Sequence, residues 1–390
     1  MNIETLKALV IGKIETQGRQ LHTLSMKIHS NPELGFHEEK AANWLTRYLE
    51  ENGFSIERGI CGLPTAFRAS YGVGKPAIAI LAEYDALPKL GHACGHNIIA
   101  TCAIGAGVAS KLAIGQFGGS ILVIGTPAEE LYGGKAIMAN RGAFDSLDIA
   151  MMVHPGTRDA ATTHALACQN LEIEFFGKEA HAAAHPEAGI NALEAMILSF
   201  NAIDALRQHI KEKARIHGII TDGGEAPNIV PAHTAATFLV RAEDDEYLDI
   251  LKEKVLNCFA GAAAATGAEL KYKWADVRYA AMRNNMTLAR LFRKNMQSLG
   301  RPIPLGDNSK WSGSTDVGNV SRLVPTIQPM VGIASKDVLI HTPQFAAAAA
   351  TKEALRSLLD AAKAMAMTAA DLLADPKTIA GLRAEFQKSK

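Results

Sequence analysis

The densest chemistry in this 390-residue chain lies in Gly91-His92-Ala93-Cys94-Gly95-His96-Asn97. Deprotonated Cys and His are soft-to-borderline donors suited to zinc or a similar divalent ion. Cys94 and His96 are two apart, so in an extended segment both side chains leave one face and can share a centre. The flanking glycines let the backbone turn tightly. Read alone, the stretch better suits a small buried thiol and a satisfied core imidazole.

Further candidates stand downstream, at the ends of apolar runs or in loops. Glu129-Glu130 follows Ser120–Gly125 and Pro127. Adjacent carboxylates cannot both point one way, so one can ligate while the other serves as a general base. A solvated acidic turn is the plainer alternative for such a pair. His154 follows Ile149–Val153, and His341 precedes Thr342-Pro343. Taken singly, each imidazole suits a core or loop role. Together, Cys94, His96, Glu130, His154 and His341 number about as many donors as two neighbouring metals need, with water or substrate completing the shells. Such a pair polarises a carbonyl and activates water, the chemistry of amide hydrolysis.

The elements that must position these groups form a pattern. Thr5–Ser30 and Glu38–Asn52 read as helices, the second ended by Gly53. Ala77–Ala82, Ser120–Gly125 and Ile149–Val153 are short apolar runs, as in strands covered on both faces. Helical stretches at 97–112 and 133–141 separate them. This is an open α/β sheet, whose ligands sit beyond the carboxyl ends of the strands. The pattern then changes. Asn170–Phe176 alternates apolar with acidic residues, a helix covers 189–210, strands cover 215–220 and 234–241, a helix covers 246–264 and a strand 269–273. This reads as an inserted α+β unit of about a hundred residues. Helical pattern returns at Thr287–Leu299, a Gly/Ser loop spans Ser312–Asp316, and Phe345–Leu373 reads as one long Ala-rich helix.

Composition narrows the function classes. The 390 residues imply more than one core. Lysine plus arginine (40) balances aspartate plus glutamate (40), so no basic excess points to nucleic acid or to a membrane surface. The five cysteines, at 61, 94, 102, 168 and 258, are odd in number and lack framework spacing, which suggests free thiols in a reducing compartment. The N-terminus lacks a signal-peptide pattern, and no run of 18 uncharged apolar residues occurs. The expectation is a cytoplasmic protein with no membrane span.

Motifs in order along nearly the whole chain carry a resemblance. They are His29-Ser30-Asn31-Pro32-Glu33-Leu34-Gly35-Phe36, Ala82-Glu83-Tyr84-Asp85-Ala86-Leu87-Pro88, the 91–97 stretch and Pro127-Ala128-Glu129-Glu130. Val153-His154, Gly177-Lys178-Glu179-Ala180-His181-Ala182-Ala183, Pro227-Asn228-Ile229-Val230-Pro231, Ser314-Thr315-Asp316-Val317-Gly318 and His341-Thr342-Pro343 complete them. The chain resembles the di-metal aminoacylase and carboxypeptidase G superfamily, peptidase family M20. It is most similar to the branch of auxin-conjugate amidohydrolases, the B subunit of aminobenzoyl-glutamate hydrolase and β-alanyl-lysine dipeptidases. The resemblance implies a zinc-peptidase-like α/β catalytic domain, with a mixed sheet flanked by helices, over 1–168 and 277–390. An inserted α+β, ferredoxin-like lid or dimerisation domain would span 169–276, with a homodimer formed through it.

By the same resemblance, Cys94, His96, Glu130, His154 and His341 match the metal ligands and Glu129 the general acid/base. Two divalent ions, zinc or manganese, are implied. A thiolate at Cys94 stands where wider relatives have a bridging carboxylate, and its softness favours zinc. Asp85 and Glu83 fall in the motif that props the site. His181 matches a histidine that reaches the scissile carbonyl, often from the partner subunit. In His181-Ala182-Ala183-Ala184-His185 the second histidine reads as structural, because no carboxylate lies between the two and Pro186 follows. Asn228 and Arg241 match positions that hold a substrate carboxylate, although a surface salt bridge is an equal reading for Arg241. Glu83 and Asn97 each replace an aspartate usual in auxin-conjugate hydrolases, which points toward aminobenzoyl-glutamate or β-alanyl dipeptide substrates.

The implied reaction is amide hydrolysis by metal-activated water, with Glu129 moving the proton and His181 donating to the oxyanion. Two alternatives stay open on the sequence alone. One is a metal-dependent aminohydrolase releasing ammonia from an aromatic amine. The other is an inactive metal-binding regulatory protein.

Overall fold

The computed structural model describes residues 1–306 and 313–388; Ser312 of the Gly/Ser loop lies outside them. The described chain forms two compact units. The first runs from Met1 to His164 and resumes at Met282. The second runs from Ala165 to Ala281 and includes the short stretch ending at Thr315.

The described strands are β1 (Ser55–Arg58), β2 (Phe67–Val73), β3 (Ala77–Ala82), β4 (Gly119–Gly125), β5 (Ile149–Met151), β6 (His154–Gly156), β7 (Ala167–Phe176), β8 (Arg215–Asp222), β9 (His233–Ala242), β10 (Glu269–Tyr279), β11 (Thr326–Ile327) and β12 (Met330–Gly332). The first unit holds a six-stranded mixed sheet in the order β1-β2-β4-β3-β5-β11. β3 runs parallel to both β4 and β5, and the β1–β2 and β2–β4 pairs are antiparallel. Every residue of β3 is buried, as a strand with helices on both faces requires. Ile78 and Ile80 pack into one core, with the helices Ile3–His29, His96–Phe117 and Lys352–Ala374. Ala79 and Leu81 pack into the other, with Met138, Phe144, Val317 and Val320.

The helix expected over 97–112 runs further, from His96 to Phe117. Its Ala, Gly and Ile composition lets it pack closely between helices and sheet. By length and composition it could cross a membrane, although Lys111 interrupts its apolar run. In the fold, 83% of its most apolar window is buried inside the protein.

The second unit is an antiparallel sheet in the order β10-β7-β9-β8, with the helices Ala192–Leu206 and Asp245–Thr266 packed on one face. This β-α-β-β-α-β order is ferredoxin-like. Leu171, Ile173 and Phe175 of β7 are buried while Asn170, Glu172 and Glu174 are exposed, so the alternation read from sequence sets the face.

Some elements differ from expectation. The helix expected over 189–210 starts at Ala192, because Asn191 accepts from the Leu193 and Glu194 amides and caps it. It gives way to a 3₁₀ turn at Arg207–His209. The long helix expected over 345–373 is two, Pro343–Ala348 and Lys352–Ala374. The Thr351 hydroxyl accepts from the Ala354 amide and restarts the second one. The strand expected over 149–153 ends at Met151. His154 opens β6, which pairs in parallel with β12 in a separate two-stranded sheet.

Candidate metal centre

Cys94 and His96 lie on the turn between β3 and the helix that begins at His96. Gly95 has φ +80°, and a Cβ there would come within 2.5 Å of Pro155, so only glycine lets the turn close on the residue after His154. The Sγ of Cys94 then lies 3.4 Å from Nε2 of His154. His341 arrives from far along the chain, and its amide donates to the carbonyl of Ala93 at 2.9 Å, fixing it beside the same turn. Its Nε2 is 3.4 Å from Oε1 of Glu130.

Donor atoms of Cys94, His96 and His154 lie within 4.8 Å of one another, as do those of Cys94, Glu130 and His341, and those of His96, Glu129 and Glu130. All five residues expected as ligands therefore converge, with Glu129 beside them and Cys94 shared by two groups. His92, the second imidazole of the 91–97 stretch, does not join them. It is buried against His29, ring centroids 6.1 Å apart, and burial with the neighbouring His96 pushes its pKa down to about 3.

The histidine orientations are set from behind. Nδ1 of His96 faces both the carbonyl (2.9 Å) and Oδ1 (3.0 Å) of Asp85, so it is the nitrogen that carries hydrogen and donates. Its Nε2 is left as the free donor atom, 3.8 Å from Oε1 of Glu130. Nδ1 of His154 similarly donates to the carbonyl of Pro155 at 2.6 Å, turning Nε2 toward Cys94. Asp85 also accepts the Glu130 amide at 3.1 Å, so one carboxylate ties the two ligand loops together.

A buried charge chain lies beneath. Nζ of Lys135, fully buried, is 2.5 Å from Oε1 of Glu83 and 2.7 Å from Oδ1 of Asp316. The other oxygen of Glu83 is 3.5 Å from Nε2 of His96. Glu83 thus does more than prop the motif, since it faces the donor atom of a candidate ligand. Sequence reading missed Lys135 altogether, because a single lysine opening a short helix carries no signal. Asp316 sat within a quoted motif without a role.

Electrostatics follow from this crowding. Burial pushes the Glu129 carboxyl well above its ordinary range, with Glu83, Glu130 and Asp316 adding to the push and Lys135 opposing it. Burial also raises the Cys94 thiol, reinforced by Glu130. Burial would lower the His96 imidazole, but Asp85 and Cys94 outweigh it and hold the pKa well above its usual value. Burial would raise the Asp85 carboxyl, but the charge and hydrogen bond of His96 hold it below the normal range.

The donors fit divalent cations. Nε2 of His96 and Oε1 of Glu130 are buried without completing a hydrogen bond in the chain, and they point into a set of sulfur, nitrogen and oxygen donors. Unsatisfied buried donor atoms of this kind are costly unless something binds them. Thiolate, imidazole and carboxylate together suit zinc, with manganese served by the oxygens.

The remaining candidates belong to the second unit. His181 is exposed, and its Nδ1 accepts from the amides of Ala183 (3.3 Å) and Ala184 (3.2 Å). The carbonyl of Asn228 accepts the Ala182 amide at 3.0 Å. Arg241 lies on β9, and its Nη1 donates to Oγ of Ser314 at 2.9 Å. His185 is exposed, 3.5 Å from Glu187.

Comparison with known proteins adds independent findings. Residues 169–266 match the model of a peptidase dimerisation domain. The Xaa-Arg dipeptidase of Mus musculus is 38% identical, the alignment covering 99% of this chain and 93% of that protein. The B subunit of the p-aminobenzoyl-glutamate hydrolase of Escherichia coli is 30% identical over 96% of this chain and 93% of its own. Among solved structures, a dinuclear metal-binding peptidase of the M20 family from Bacillus subtilis superposes with a TM-score of 0.72 at 22% identity, covering 92% of this chain and 99% of that one.

Proposed function

Because this chain belongs to the M20 peptidase family, we propose that it is a two-metal dipeptidase whose ions are held by Cys94, His96, Glu130, His154 and His341. It is a hydrolase of amide bonds. The observation that carries the proposed site is the convergence of those five residues, with Cys94, His96 and Glu130 each common to two donor groups. In this reading Cys94, His96 and His154 serve one ion, and Cys94, Glu130 and His341 the other. Zinc or manganese is proposed from donor softness.

The ions, when bound, would supply Lewis acidity toward the amide carbonyl and lower the pKa of water. Glu129 takes a proton from the attacking water as its oxygen adds to the carbonyl carbon. Glu129 would be kept ionised to take that proton by the positive charge of bound ions, and burial beside Glu83 and Glu130 suits the carboxyl to hold it afterwards. When the carbon–nitrogen bond breaks, the Glu129 carboxyl hands the proton to the leaving nitrogen. Asp85 keeps His96 in the tautomer that leaves Nε2 free. The proposed oxyanion contact of His181, and the proposed grip of Asn228 and Arg241 on a substrate carboxylate, rest on the family resemblance.

The substrate class we propose is a dipeptide or small N-acyl amino acid with a free carboxylate. Dipeptides ending in arginine rank first, since a relative named for that activity shares 38% identity, and aminobenzoyl-glutamate ranks second. Both names describe amide bonds, so release of ammonia from an aromatic amine is not favoured. We further propose a cytoplasmic homodimer formed through the second unit, a reading supported by the dimerisation-domain match and the free cysteines. The test is a panel of Xaa-Arg and β-alanyl dipeptides, N-acyl amino acids and aminobenzoyl-glutamate, assayed with zinc or manganese for both organic products. Two organic fragments from at least one compound are expected. Metal-loaded protein that cleaves none of them would overturn the reading.

A further inference from the structure

Glu129 is launched from a strained turn. Ala128 just before it has φ 59° and ψ 44°, a left-handed conformation that side-chain-bearing residues disfavour. Such a residue persists only where its surroundings hold it. The Ala128 carbonyl accepts the Gly134 amide at 3.1 Å, and its amide is held by Glu38, at the N-terminal boundary of the helix Glu39–Glu51 and 90 residues away in sequence. Glu38 is fully buried. Its Oε1 accepts the Ala128 amide at 2.8 Å. Its Oε2 accepts the Thr65 hydroxyl at 2.8 Å. The Thr65 carbonyl in turn accepts the hydroxyl of Tyr84 at 2.6 Å, and Tyr84 lies between Glu83 and Asp85 in sequence. The same N-terminal segment crowds the turn sterically, since a Cβ on Gly35 would come within 2.9 Å of Ala128.

We propose that Glu38 is a positioning residue for the reaction, acting through Ala128 to aim the Glu129 carboxylate. The proposal rests on the reading of Glu129 as the base. A buried carboxylate with both oxygens committed to one amide and one hydroxyl is a two-point clamp. A glutamine keeps the acceptor for Ala128 and turns an amide toward Thr65, whose hydroxyl can accept as well as donate. A leucine keeps the bulk and removes both contacts. The Ala128 amide is then left without its acceptor, and the turn is free to relax. A misaimed base costs turnover with little effect on substrate affinity.

The experiment compares parent, Glu38→Gln, Glu38→Leu and Glu129→Gln in the metal-loaded full-length protein, on whichever dipeptide the parent cleaves. Glu38→Gln is expected to keep kcat within about threefold. Glu38→Leu is expected to lose on the order of a hundredfold in kcat, with KM within about threefold and metal content unchanged. Hydrogen exchange across residues 126–132 should quicken about tenfold or more in Glu38→Leu alone. Adding Glu38→Leu to Glu129→Gln should cost no further activity, because the clamp acts through the base. The proposal is overturned if Glu38→Leu keeps the parent kcat and exchange, or if Glu38→Gln loses as much as Glu38→Leu. Should Glu38→Leu fail to fold, Thr65→Val decides, since it removes one arm of the clamp: a fall in kcat with KM and metal content retained supports the proposal, and unchanged kcat overturns it. Parent-level activity in Glu129→Gln would instead reject the base itself, while the exchange comparison would still report on the turn.

Discussion

Oδ1 of Asp85 lies 3.0 Å from Nδ1 of His96, and together with its own carbonyl at 2.9 Å this residue of the loop after β3 decides which nitrogen of His96 faces the other candidate ligands. Asp85→Asn keeps the backbone carbonyl as acceptor but removes the negative charge behind His96 and can turn an amide toward Nδ1, which loosens the ring's orientation and makes Nε2 a weaker donor. Metal affinity is expected to fall about 10- to 100-fold, as for other partners that orient metal-bound histidines. Titration against a coloured chelator measures it, and unchanged affinity would remove Asp85 from the role.

Lys135 carries the other half of the support. Burial works against its charge, but Asp316, Glu83 and Glu129 hold its pKa above the ordinary lysine value, so it is a buried cation among these acids. Lys135→Met strands Glu83 and Asp316 as buried carboxylates. A loss of about 3–5 kcal/mol in unfolding free energy is expected. Denaturant melts of metal-free protein at neutral pH check this, and a variant as stable as the parent would show that Lys135 does not neutralise the acids.

Metal loading should release protons. Without cations the Cys94 thiol and the His96 imidazole both sit above their usual pKa values, so both hold protons near neutral pH. Each must lose its proton to ligate. Apparent affinity is therefore expected to rise with pH between about 6 and 8. Calorimetry in buffers of different ionisation enthalpy counts the protons, and a heat independent of buffer would contradict the account.

Glu38 gives a pH dependence of stability with a definite sign. Burial, with the Asp85 charge, raises its pKa from 4.5 to about 7, against the hydrogen bonds from Thr65 and Ala128. The folded state therefore binds this proton more tightly than the unfolded state. The stabilisation is complete below about pH 4.5 and is lost as pH rises through about 7. Its size is on the order of 3 kcal/mol. Glu38→Gln removes the titration, so in metal-free protein the variant should gain stability relative to the parent as pH rises from about 5 to about 8. A difference that stays flat across that range would contradict the shift.

Glu129→Gln is expected to keep its metals and lose kcat by at least about 100-fold, as removal of a general base requires. Metal content and steady-state rates on the same preparation decide it. Hydrolysis at the parent rate would exclude Glu129 as the base.

The candidate ligand set was legible in the sequence because each member is a distinctive residue type at a strand end or in a punctuated loop. Cys94, His96 and Glu130 could be picked out that way, and the alternation of β7 gave the face of the second sheet. What escaped was support made of common residues acting at long range. Glu38 and Lys135 look like an ordinary acidic helix start and an ordinary lysine until the fold brings Ala128 and Asp316 against them. Short strands such as β6 and β12 escaped for a related reason, since three residues show no periodicity and their pairing is not local. The break before Lys352 depends on one Thr351 hydroxyl, which an alanine-rich background hides.

The central claim is that distant residues meet around a pair of cations, and metal stoichiometry tests it most directly. After reconstitution with zinc or manganese and removal of loose ions, elemental analysis should find about two ions per chain in the parent. The count should be lower in both Cys94→Ala and His341→Ala, because each removes a donor at the shared centre. A parent that retains no stoichiometric metal, or variants that hold two ions as firmly as the parent, would contradict the account.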